Sequence, residues 1–92
     1  MNYPTYESMT IKAIRWFSNW KKSKEAKVNG YASRTDEFRK VTMYESGGDA
    51  KGLTDLTLGI EYCDAEGSDY REVMVAVDRK GNCQFHSYRK LK

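Results

Sequence analysis

The chain has 92 residues, 39% hydrophobic, 13% aromatic and 32% charged, with a formal net charge of +3. That length excludes a second domain and sits near the lower limit for folding on one core, and the composition excludes a disordered chain. No apolar run approaches the ~20 residues of a membrane span.

The first predicted element is an amphipathic helix. Tyr6, Met9, Ala13, Trp16, Phe17 and Trp20 keep the three-and-four spacing of one stripe, with Lys12, Arg15, Asn19 and Lys22 on the other side. Thr5 after Pro4 is the expected N-cap, with Glu7 in the first turn where the helix dipole favours an anion. Continuing the stripe would bury Lys24 and Lys27, so the packed part is expected to end near Lys22, with Asn29-Gly30 stopping any frayed extension to Val28.

The period then changes to two. Phe38 to Glu45 is a first strand, followed by a loop at Ser46-Gly47-Gly48-Asp49 and Lys51-Gly52. Leu56, Leu58, Ile60 and Tyr62 alternate with Thr57, Gly59, Glu61 and Cys63 in the clearest strand. A short acidic connection, 64–69, leads to Val73, Val75 and Val77, and Arg79-Lys80-Gly81-Asn82 turns the chain into Cys83 to Tyr88. Links this short favour an antiparallel meander, since parallel neighbours need crossovers of about a dozen residues or more. The expected fold is α+β over residues 1–92: an N-terminal amphipathic helix on one face of a four-stranded antiparallel sheet, the other face polar and open.

Charge is sorted along this order. Residues 12–40 hold nine Lys or Arg against Glu25, Asp36 and Glu37, a net of +6. Residues 49–78 hold Lys51 and Arg71 against eight acids, a net of −6, and residues 79–92 hold five cations and no acid. Two basic blocks around an acidic one point to a polyanion or a charged protein groove as partner. The candidate binding residues are Lys21, Lys22, Lys24, Lys27, Arg34, Arg39 and Lys40 in the first block and Arg79, Lys80, Arg89 and Lys90 in the last. Flexible cations of this kind contact phosphates and release counterions, and they also serve as an ordinary solvated helix end. Tyr31, Tyr44, Tyr70 and Tyr88 fall outside the main core pattern; tyrosines on a sheet can stack unpaired bases or be partly buried sheet residues.

Glu61, His86 and Arg71 supply the residue types a cyclising ribonuclease needs: a carboxylate base, an imidazole acid and a phosphate-binding Arg. No diagnostic motif accompanies them. The acids of 49–78 lack calcium-loop spacing, Gly47-Gly48 lacks the Lys-Ser/Thr of a phosphate loop, and no Gly-x-Ser-x-Gly elbow is present. The N-terminus has no basic stretch leading into an apolar one, so an unexported, soluble, cytoplasmic protein is expected. In that compartment Cys63 and Cys83 are expected as thiols. One His leaves too few ligands for a structural zinc site, and no cofactor is expected.

In its length, helix-then-sheet build, aromatic-rich composition and segregated charge, the chain resembles the very small phage proteins that inhibit bacterial defence, the anti-CRISPR proteins. Its layout is similar to inhibitors of the type I-F surveillance complex. The likeness covers the whole chain and includes no signature motif. It implies a non-enzymatic inhibitor acting in the host bacterial cytoplasm, binding Cas proteins and guide RNA and preventing target DNA from pairing. A generic basic RNA/DNA-binding protein of a phage or plasmid and a small ribonuclease toxin using Glu61 and His86 are the alternative readings.

Overall fold

A computed structural model describes residues 6–45, 56–77 and 82–91. The predicted Thr5 cap, the loops at 46–55 and the turn at 78–81 lie outside the described residues, as do the side chains of Tyr6, Met9 and Leu56. The elements are α1 (Tyr6–Trp20), α2 (Lys24–Val28), β1 (Glu37–Glu45), β2 (Leu56–Cys63), β3 (Arg71–Val77) and β4 (Cys83–Lys90). The strands form one sheet in the order β1-β2-β3-β4, every pair antiparallel. This is the expected helix on a four-stranded meander.

The two sides of the sheet follow from the alternation of side chains. Leu58, Ile60 and Tyr62 of β2 pair with Val75, Val73 and Arg71 of β3, and all are buried on the helix side. Against them α1 lays Ala13, Phe17 and Trp20, with Trp16 half-buried beside them. The Phe17 and Tyr62 rings meet at 4.9 Å between centroids, and Trp20 stacks on Phe85 and Tyr31.

The chain does not simply fray after Trp20. It breaks at Lys21–Ser23 and starts α2, whose N-cap Ser23 accepts a hydrogen bond from the Ala26 N–H at 3.2 Å. Burial of Ala26 anchors this extra turn. Gly30, at φ +69, ends it in the left-handed conformation that glycine adopts without a Cβ clash. The chain that follows carries Tyr31 into the core's edge, where its ring meets Phe85 and Tyr88. Tyr31 and Tyr88 are thus packed against the core, on the helix side of the sheet, and Tyr44 alone of these three stands on the open side.

Cys63 ends β2 opposite Glu37, whereas Cys83 begins β4 opposite Val77, at the other end of the sheet. No bridge joins them, as expected. Among the described residues, no helix is long and apolar enough to cross a membrane.

Candidate functional site: a cleft with walls of both charges

One end of the sheet carries an organised polar cluster. Asp36, Cys63, the 64–70 turn, Arg71 and Lys90 all reach it, and the end of α1, α2 and the 29–36 segment close over it. At its centre Arg71 is 7% exposed and Asp36 2% exposed, and their ion pair is 3.0 Å long. Arg71 also donates from Nη1 to the Tyr31 carbonyl at 2.9 Å and from Nε to the Asp69 carbonyl at 3.1 Å, and its guanidinium covers the Tyr62 ring. Burial works most strongly against the Arg71 charge, and Asp36, Tyr62 and Asp69 together outweigh it, holding the guanidinium above its usual range. The second oxygen of Asp36 accepts the Ser33 N–H at 2.8 Å, and its carbonyl accepts Lys21 Nζ at 2.7 Å. A buried pair satisfied in this way fixes geometry. Arg71, read in sequence as a phosphate ligand, is here a structural pin.

Around this pin opens a cleft of about 760 Å³. Its cationic wall is Lys21, Lys22, Lys27 and Arg34, brought from α1's end, α2 and the following segment. Its acidic wall is Asp64 and Asp69, from the turn between β2 and β3. Asp64 accepts the Ser68 N–H at 2.8 Å, the Ser68 hydroxyl at 2.8 Å and the Glu66 N–H at 3.0 Å, which hold its carboxyl below the usual carboxylate range. The turn is therefore rigidly presented, with Gly67 and Asp69 both at positive φ.

The remaining candidates fall in three places. Lys24 is exposed on α2. Lys90 pairs in register with Arg71, which brings the described end of the C-terminal block to the same end of the sheet as the cleft. Arg39 sits at the β1 bulge and Lys40 opposite Glu61. Arg89 is turned to the open side, where Nε and Nη2 reach Glu72 Oε1 at 2.8 and 2.6 Å. Arg79 and Lys80 lie outside the described residues.

The open side has its own network. Tyr44 Oη donates to Glu72 Oε2 at 3.2 Å, and the tyrosine ring crosses Gly59 to get there. Glu72, 4% exposed, is thereby held on the open side by side chains from both edge strands, β1 and β4. Glu61 shares its row with Lys40 and Glu72, while His86 stands two strands away at the β4 irregularity beside Ser87. At strand spacing and rise this separates their Cα atoms by roughly 14 Å. The structure does not bring Glu61 and His86 together. Among the described residues no group of three or more His, Cys, Asp or Glu is arranged to hold a metal ion.

Sequence reasoning singled out the cations and read the acids of 49–78 as a block suited to a charged protein groove; that Asp64 and Asp69 line the same cleft as the cations follows from the fold. The signal for Asp64 was Asp-x-x-x-Ser with Gly67 between, a turn in which the carboxylate bonds its own loop. Comparison with protein families, curated proteins and solved structures gave no match. The functional reading rests on the cleft itself.

Proposed function

We propose that this protein is a non-enzymatic inhibitor that grips a ribonucleoprotein of the CRISPR surveillance type in the host cytoplasm, holding guide RNA and Cas protein together and keeping target DNA from pairing. The observation that carries this reading is that Lys22, Lys27 and Arg34 line the same cleft as Asp64 and Asp69. Bare nucleic acid offers phosphates alone, and the acidic wall repels them. A guide-bearing complex offers phosphates beside Lys- and Arg-lined protein, so both walls find partners. A general RNA- or DNA-binding protein has no use for the acids. Polar side chains that the ribonuclease reading requires, Glu61 and His86, stand apart.

Charge variants test this directly. Binding to a guide-loaded complex is measured for the wild type, for the triple variant Lys22→Glu, Lys27→Glu, Arg34→Glu, and for Asp69→Asn, which keeps a residue tolerant of positive φ. Both variants are expected to weaken binding, the triple reversal by more than about tenfold and Asp69→Asn by a few-fold, in keeping with a large interface of few hot spots. Naked guide RNA is expected to bind more weakly than the loaded complex. Equal affinity for naked RNA, or tighter RNA binding by Asp69→Asn with no loss toward the complex, contradicts the proposal.

A further inference from the structure

The sheet ends on β1 and β4, and its two edges are differently defended. β1 carries Glu37, Arg39 and Lys40 within its first four residues. Charges along a strand discourage a second strand from adding to its edge. β4 confines its charges, Arg89 and Lys90, to its last two residues and carries no Lys, Arg, Asp or Glu from Cys83 to Tyr88. On the helix side of the same strand Phe85 and Tyr88 are only half-buried, Phe85 stacked on Tyr31 and Tyr88 tilted against it. An open strand edge thus runs beside a strip of partly covered aromatic rings.

We propose that β4 pairs antiparallel with β4 of a second copy of this chain, about a two-fold axis normal to the sheet, joining two four-stranded sheets into one of eight strands. The side chains of β4 determine the register. Cys83, Phe85, Tyr88 and Lys90 share the helix side with their β3 partners, and Gln84, Ser87 and Arg89 share the open side. The irregularity opposite Met74/Val75 leaves His86 as the extra residue that shifts the alternation. With the axis between His86 and Ser87, all eight residues of β4 pair, and like sides meet. Phe85 then stands opposite the second copy's Tyr88, Gln84 opposite its Arg89, and Cys83 opposite its Lys90. An axis through His86 instead sets Phe85 against Ser87, which lies on the other side of the sheet.

The same register solves the charge problem of self-association. Arg89 and Lys90 each land beside an uncharged residue, so no like charges face one another. A self-complementary patch on both copies makes the contact isologous and closed, giving a dimer rather than a filament. Because a single pair of strands is a small interface, the dimer is reversible and depends on concentration. This inference stands apart from the cleft and from whatever fills it.

The test is sedimentation of the purified protein over a range of concentrations, with Gln84→Lys and Gln84→Glu beside the wild type. Gln84 is exposed on the open side, and circular dichroism checks that both variants fold as the wild type does. The wild type is expected to show a monomer–dimer equilibrium. Gln84→Lys places a cation beside Arg89 at two symmetric positions and is expected to weaken the dimer about tenfold, and Gln84→Glu to tighten it by a comparable factor. A wild type that stays monomeric throughout, or a dimer indifferent to both substitutions, overturns the proposal.

Discussion

At the scale of single residues, the Asp36–Arg71 pair carries the largest consequence. Each side chain is nearly inaccessible, and among the described residues Arg71 has Asp36 at 3.0 Å and Asp69 at 3.6 Å as opposite charges. Asp36→Ala leaves the buried guanidinium without its main counter-charge and takes an acceptor from the Ser33 N–H. A loss of about 3 kcal/mol is expected, read as a lower midpoint in urea unfolding, because an unpaired buried charge costs more than the pair contributed. Tyr62 makes a separate prediction at alkaline pH. Its hydroxyl donates to the Tyr31 carbonyl at 2.7 Å, and burial pushes its ionisation well above the ordinary value of 10.0, Arg71 opposing only in part. The folded state therefore keeps the proton that the unfolded chain releases near pH 10.0. The stability this phenol contributes is complete below that pH and is lost as pH rises above it. Ultraviolet titration is expected to show one tyrosine that ionises only on unfolding. In Tyr62→Phe that late step is absent; its persistence there contradicts the assignment.

At the scale of elements, the sequence made the helix and strands legible because each buries one face and therefore leaves a period. Phe17 and Trp20 fall three apart on one stripe, and Leu58, Ile60 and Tyr62 alternate, so α1 and β2 were readable with their partners. The helix α2 was not, because its signals are a single cap, Ser23, and a single buried methyl, Ala26. Tyr31 and Tyr88 escaped the core for a related reason: one lies in an irregular segment and the other beyond a bulge, where alternation no longer predicts the buried side. Of the site, the cations were visible as a charge run, but the acids lining the same cleft were separated by some thirty residues, and only the meander's register closes that gap. Gly59 shows how tightly one strand constrains another. A Cβ there collides with the Glu72 carboxylate and falls 2.6 Å from Tyr44 Cε2. Gly59→Ala is expected to displace the tyrosine and destabilise the protein by roughly 1–3 kcal/mol. Thermal unfolding checks this, and Tyr44→Leu in the same background should recover part of the loss, since it removes the obstructing ring.

At the scale of the whole molecule, the fold converts charge sorted along the chain into charge gathered at one end of a sheet. The basic run of 21–34 and the acidic turn of 64–69 both line one cleft, together with the Arg71–Asp36 pair. Neither wall is useful alone to a partner that presents one sign of charge. Both are useful to one that presents RNA phosphates and cationic protein together, and it is this pairing of walls that supports the inhibitor reading. The most direct measurement is capture on the tagged protein from cells that contain a guide-loaded CRISPR complex, repeated after nuclease digestion. The intact complex is expected to be recovered and to survive the nuclease, since protein contacts persist when accessible nucleic acid is removed. Recovery of mixed nucleic acid alone, lost on digestion, contradicts it.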